Sequence, residues 1–267
     1  MNILVIIVVW VILSVFFIFL GINSIFNGLS VPWSNIIFFF ILWLVLSCLI
    51  IVFFYLRHKS KKETQKLLAT MEENPTHSYD EGEYFYQTPL IIYDNFRKPI
   101  LGNKQMSYKP FFNNTLQKLV SLLDFFALFG IKLTSEEYNV VIKRIKWWHL
   151  RPHHKVYLNE QVVGILFQKK LFSKKGFQKM PYQFIDNQKY SYVFENPFFS
   201  QETVIKNDDN QILLKGKRSF FDIGKNNKTN QRGETHNLKV SAHYSDYPEE
   251  LWIALYIQVM VTQQTMN

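Results

Sequence analysis

Leu251-Trp252-Ile253-Ala254-Leu255-Tyr256-Ile257-Gln258-Val259-Met260-Val261 is the stretch on which the fold turns, because it suits neither a bilayer nor a protein surface. A helix needs roughly 20 apolar residues to cross a membrane, and this run is shorter. It is apolar almost all the way round, so no side of it can face water. Such a helix must be enclosed by protein, and the segments before it read as short strands joined by tight turns. The expectation is a β-barrel closed around its own C-terminal helix. Asp246 as N-cap, Pro248 in the first turn and Glu249 placed for a capping box set the helix start near Tyr247.

Working back from that helix, the pattern is strand, turn, strand. Val156-Tyr157-Leu158 leads through Asn159-Glu160-Gln161 into Val162-Val163-Gly164-Ile165-Leu166-Phe167. Tyr182-Gln183-Phe184-Ile185 leads through Asp186-Asn187-Gln188 into Tyr190-Ser191-Tyr192-Val193-Phe194, and Thr203-Val204-Ile205 through Asn207-Asp208-Asp209-Asn210 into Ile212-Leu213-Leu214. Asn and Asp tolerate the left-handed backbone that tight hairpins demand, which gives each turn a mechanism. Two more strands are expected at 219–223 and 238–244, separated by the polar loop 224–237, and an earlier hairpin at 84–86 and 90–93 with Ile100-Leu101-Gly102 following. Between these lies a predicted helical insertion at about 114–147. Its first helix runs from an Asn114 cap to about Phe129, with Gly130 as stop; its second starts at Thr134, with Glu137 completing a capping box, and carries Tyr138, Val141, Ile142 and Ile145.

The 267 residues divide sharply at about residue 57. Residues 3–20 are apolar except for Ser14, and 36–56 except for Ser47; each run is long enough to span the hydrocarbon core. They predict a transmembrane hairpin over 1–57, with helices at about 3–22 and 35–56. The start, Met1-Asn2-Ile3, lacks the basic region of a signal peptide. The link 21–35 is uncharged, whereas Arg57, Lys59, Lys61 and Lys62 flank the second run, so the positive-inside rule puts both termini in the cytoplasm of a two-span cell-membrane protein. Trp33 and Tyr55 stand where interface anchors belong. A basic and polar stalk at 58–82 then leads to the soluble domain, 83–267. Cys48 is the sole cysteine, which excludes an intrachain disulfide and a cysteine-based zinc site.

The recurring unit Val156-Tyr157-Leu158-Asn159-Glu160-Gln161-Val162-Val163-Gly164, followed at the end by one hydrophobic helix, resembles the tubby C-terminal-like superfamily, which includes the LURP-one-related and phospholipid scramblase proteins. The resemblance covers about residues 84–261, in a membrane-anchored, bacterial-type arrangement. It implies a closed antiparallel barrel of about a dozen strands around a central C-terminal helix, an arrangement that strand number makes workable. The chain differs from scramblases in its N-terminal hairpin and its helical insertion, and it has no counterpart of their cysteine cluster or calcium-binding stretch.

A formal charge of +9 points to a polyanionic neighbour. Basic residues interleave with aromatics around Trp147, Trp148, Phe172 and Phe177. On a domain tethered to a membrane, Lys143, Arg144, Lys146, Arg151, Lys169, Lys170, Lys174 and Lys175 are the candidate contacts to anionic lipid, joined by Lys215, Lys217 and Arg218 at an expected turn between strands. Nothing organises a nucleic-acid site, and none is expected. His149, His153 and His154 have helical metal-ligand spacing, but Pro152 interrupts the helix and no carboxylate completes the set; no metal and no cofactor is expected. With no phosphate loop, nucleophile elbow or triad, the expectation is a non-catalytic module binding anionic headgroups or a partner at the inner membrane face. A membrane-resident immunity or regulatory protein meeting another membrane protein through its hairpin, and a scramblase-like transporter, are the other readings.

Overall fold

Residues 3–27, 33–73, 79–88, 97–122, 129–146, 151–169, 181–197, 200–219, 226, 233–241 and 245–266 are described by the structure, a computed structural model. The chain divides into two units. In the first, α1 (Ile3–Asn27) and the N-terminal part of α2 (Trp33–Glu73) form an antiparallel pair. Both are long and apolar enough to cross a membrane, over Val5–Phe26 and Ile36–Glu63. Their contact carries an unexpected device. The indole of Trp10 donates to Ser47 Oγ at 2.7 Å and that of Trp43 to Ser14 Oγ at 2.8 Å. Each serine hydroxyl donates in turn to the carbonyl of the tryptophan four residues earlier on its own helix, both at 2.8 Å, and the two indoles stack 6.0 Å apart. The spacing Trp-x-x-x-Ser occurs in both helices, so two copies of one motif, run antiparallel, satisfy each other. α2 continues without a break to Glu73, which makes the first part of the predicted stalk helical.

The second unit is a closed barrel of twelve antiparallel strands, each paired with its sequence neighbour, with the last strand closing on the first. Alternation builds it: β3 (Met106–Phe111), β5 (Asn139–Arg144), β8 (Tyr182–Asp186), β9 (Ser191–Glu195) and β10 (Glu202–Lys206) each bury every second residue, as strands with one wet face must. The others are β1 (Glu83–Gln87), β2 (Lys98–Gly102), β4 (Gly130–Thr134), β6 (His153–Leu158), β7 (Gln161–Gln168), β11 (Ile212–Arg218) and β12 (Thr235–Val240). Between β3 and β4 lies α3 (Thr115–Leu122), and the last element is α4 (Glu249–Met266).

α4 fills the lumen. Every residue from Glu250 to Val259 is fully buried, and its side chains touch strands all round the wall. Trp252 packs on Phe184 of β8 and Tyr192 of β9, Tyr256 on Tyr86 of β1 and His236 of β12, and Gln258 Nε2 donates to Phe129 O at 3.4 Å just before β4. Gly216 of β11 faces the Tyr256 ring, and a methyl group there would collide with it. At about 25 cal/mol per Å² of apolar area removed from water, burying one helix on every side contributes substantially to the barrel's cohesion.

The Asn/Asp turns are where the sequence puts them, with sharper detail. Asn159 (φ 44°) and Glu160 (φ 69°) form a two-residue turn, shorter than the three residues expected, and both left-handed angles match the twist of the flanking strands. Asp186 Oδ1 accepts from the amides of Gln188 and Tyr190, and Asn207 Oδ1 from those of Asp209 and Gln211.

Several expectations are overturned. Of the expected helical insertion the described residues keep α3, and 123–128 fall outside them. The expected second helix is instead the hairpin β4–β5: Ser135 Oγ accepts from Tyr138 N at 3.0 Å in the turn, and Val140-Val141-Ile142 are β-branched residues whose restricted χ1 favours a strand. Gly130 opens β4 rather than ending a helix; it lies so close to β5 that a methyl group would run into the Ile142 carbonyl. Residues 215–218 are strand β11, not a turn. β12 begins at Thr235, inside the expected loop. α4 starts at Glu249, and the Glu249 carboxylate accepts from the Tyr84 hydroxyl instead of closing a capping box. The expected strand at 219–223 and the segment 90–93 fall outside the described residues, Ser219 excepted.

Candidate anion-binding face

Strand alternation sends neighbours to opposite faces, and this sorts the basic residues. On β3, β4, β5 and β6 the outward positions hold Lys109, Lys132, Lys143 and Lys155, with Lys109 opposite Lys132 and Lys143 opposite Lys155 in register. Like charges facing each other across a ladder are unfavourable. Aromatic rings offset part of this: Lys143 Nζ stands 4.7 Å from the centroid of Tyr157 and 5.3 Å from that of Phe111, and Lys155 Nζ 5.8 Å from Tyr157. Among the described residues none of the four has an acidic partner.

On the opposite wall three lysines are paired with acids. Lys206 pairs with Glu195 at 2.6 Å, Lys215 with Glu202 at 3.1 Å and Lys239 with Glu83 at 3.5 Å. The wall from β9 to β12 and on to β1 therefore has its positive charge largely offset, Lys217 excepted, while the wall from β3 to β6 keeps a net positive field.

α3 extends that field. Asn114 Oδ1 accepts from Gln117 N at 2.7 Å, capping the helix, and Asn113 Nδ2 donates to Arg144 O at 2.7 Å, tying the start of α3 to the end of β5. A surface pocket of about 380 Å³ opens there, lined by Lys109, Phe111, Phe112, Asn114 and Lys118. Beside it Leu116 and Ile145 project into solvent, 55% and 48% exposed.

Among the residues read as anion contacts, Lys143 stands on this face and Lys146 and Arg151 are exposed near its edge. Lys169 is half-buried at the end of β7, and Lys170, Lys174 and Lys175 lie outside the described residues, as do Trp147, Trp148 and His149. Lys215 and Lys217 are exposed on β11, away from the cluster. Two arginines point inward. Arg144 is 4% exposed, burial drawing its pKa below the ordinary arginine value, and Arg218, 9% exposed, meets Glu234 at 3.7 Å. The helical reading of 134–146 missed this, because only a strand sends Lys143 and Arg144 to opposite faces. Lys109, Lys132 and Lys118 were not singled out, although the alternation in Met106-Ser107-Tyr108-Lys109-Pro110-Phe111 carries the signal. His153 stacks outward on Phe167, whereas His154 is fully buried, so the two cannot share a metal.

The lumen has its own electrostatic order. Glu249 and Glu250 occupy the first turn of α4, where the helix dipole favours negative charge. The Tyr84 hydroxyl donates to Glu249; burial, and then that carboxylate, raise the phenol's pKa and keep it protonated. Ser135 Oγ donates to Glu250 at 3.1 Å and Lys104 lies 3.8 Å from it. His154 and His236 are held neutral, each with a pKa lowered to about 3, by burial first and by the neighbouring Arg144 and Arg218 second.

Comparison of the chain with protein-family models, with curated proteins and with solved structures returns no match.

Proposed function

We propose that the protein is a non-catalytic module anchored by a two-helix transmembrane hairpin, whose barrel binds anionic lipid headgroups at the cytoplasmic membrane surface through the outer wall of β3 to β6. The supporting observation is the contrast between two walls: Lys206, Lys215 and Lys239 on one are paired with glutamates, while Lys109, Lys132, Lys143 and Lys155 on the other are unmatched among the described residues, with Lys143 and Lys155 set over aromatic rings. Each lysine near an anionic bilayer contributes about 1 kcal/mol. Because the hairpin holds the barrel near lipid at high effective concentration, weak headgroup binding suffices. The cytoplasmic placement rests on Arg57, Lys59, Lys61 and Lys62 after the second apolar run. A closed twelve-stranded barrel around a C-terminal helix is of the same general kind as the tubby C-terminal-like proteins, and membership of that superfamily belongs to this proposal.

The test uses the full chain in nanodiscs, with Cys48→Ser, a donor fluorophore at Gln161→Cys and an acceptor-labelled lipid. Energy transfer is expected to rise when phosphatidylglycerol is added to zwitterionic lipid, to fall again with salt, and to lose its lipid dependence when the four lysines are changed to glutamine. Transfer that is the same with and without phosphatidylglycerol would overturn the proposal.

A further inference from the structure

Charge brings a domain to a bilayer; apolar side chains decide whether it enters. The barrel's larger apolar residues are mostly inside, so those left outside at the edge of the lysine wall need a reason. Leu116, in the first turn of α3, is 55% exposed, and Ile145, just after β5, is 48% exposed. They belong to segments 29 residues apart in the chain, yet the bond from Asn113 Nδ2 to Arg144 O holds those segments together, three residues before Leu116 and one before Ile145. Ile145 is fixed further by its own amide, which donates to His153 O at 2.9 Å. Lys118 follows Leu116 on α3, Lys143 and Lys146 flank Ile145 in the chain, and Arg151 is exposed just before β6.

Two apolar side chains on a braced backbone, flanked in the chain by cations with no acidic partner among the described residues, have the chemistry of an interfacial anchor. The cations bind headgroup phosphates, and the apolar tips enter the boundary between headgroup and acyl chain. Charge complementarity selects an anionic bilayer as the occupant. A second copy of this chain would bring the same cations against one another.

We infer that Leu116 and Ile145 are paired insertion points, which carry the α3 end of the lysine wall below the headgroups of an anionic membrane. This rests on the lipid-binding reading above and adds depth and orientation to it: the β8–β9 turn, at the opposite end of the barrel, stays in water.

The experiment keeps the full chain in nanodiscs, in the Cys48→Ser background, and places an environment-sensitive probe at Leu116→Cys, at Ile145→Cys or, as control, at Tyr190→Cys. Tyr190 is 57% exposed in the β8–β9 turn. With phosphatidylglycerol present, emission from the first two probes is expected to shift to the blue and to be quenched by lipids brominated on the acyl chain, while the Tyr190 probe is unmoved. If energy transfer still reports phosphatidylglycerol-dependent approach but the probes at 116 and 145 remain as solvated as that at 190, the insertion is refuted and the lipid-binding reading survives. If approach itself is absent, both fall together.

Discussion

The imidazole of His236 lies flat against the ring of Tyr86, centroids 4.4 Å apart and planes within 4°, with Nδ1 3.1 Å from the Tyr256 hydroxyl. A strand of the barrel wall, the closing strand and the central helix thus meet at one buried, uncharged histidine. His236 and His154 have folded pKa values of about 3 against an ordinary 6.5. Below pH 6.5 the unfolded chain takes up protons that the folded barrel refuses until about pH 3. Stability is therefore full above pH 6.5 and falls as pH drops through that window, by up to about 1.4 kcal/mol per pH unit per histidine. Melting the protein between pH 7 and pH 4.5 should show this, and His236→Phe, which preserves the stack, should make the acid limb shallower. An unchanged limb would mean that His236 is not a buried neutral group.

Ile253→Asp or Leu255→Lys places an unpaired charge at a fully buried position of α4. The expected cost is several kcal/mol, and with it loss of the barrel's near-ultraviolet circular dichroism and β signal in detergent. A variant that keeps both would show the helix to be dispensable to the wall around it.

Ser14→Ala or Ser47→Ala removes one acceptor from the tryptophan–serine exchange between α1 and α2. In a membrane each interhelical bond contributes about 0.6 kcal/mol on average and rarely more than about 1.7. The reciprocal geometry predicts equal effects from the two serines. Helix–helix energy transfer in mild detergent, run as a double-mutant cycle with Trp43→Phe and Trp10→Phe, should give coupling for Trp43 with Ser14 and for Trp10 with Ser47, and none for the crossed pairs.

Glu160 holds φ at 69°, a left-handed angle that costs an ordinary residue about 1 kcal/mol and glycine almost nothing. Glu160→Gly should raise stability in chemical denaturation by up to that amount. Asn159 should be kept, since its Oδ1 accepts from Asn139 N of the neighbouring β5 at 2.8 Å.

How much of this was legible in the chain depends on how many residues each signal used. α4 was readable because eleven consecutive residues offer no wet side, and the hairpins because Asn159, Asp186 and Asn207 carry turn chemistry wherever they stand. The segment 134–145 was misread because its few apolar residues satisfy both periods at once: Tyr138, Val141, Ile142 and Ile145 fit a helix, while Val140 and Ile142 fit a strand face. Only pairing with β4 and β6, which is not local information, decides between them. The same ambiguity hid the lysine wall, since outward and inward are defined only once the register is known. The clasp of Trp10, Trp43, Ser14 and Ser47 was visible as letters, but its meaning required the two helices to be antiparallel and in register.

The position of α4 in chain order bears on how the protein is made. During synthesis, twelve strands emerge before the helix that they enclose, and the pair β1–β12 joins residues separated by most of the soluble chain. Contacts so distant in sequence form slowly, and a chain interrupted before Glu249 has a wall with nothing to close upon. The domain is thus expected to close only once α4 has been made and can enter the lumen. Until then its apolar lining is exposed to chaperones and proteases. A barrel without α4 is expected to be left with an unfilled apolar interior.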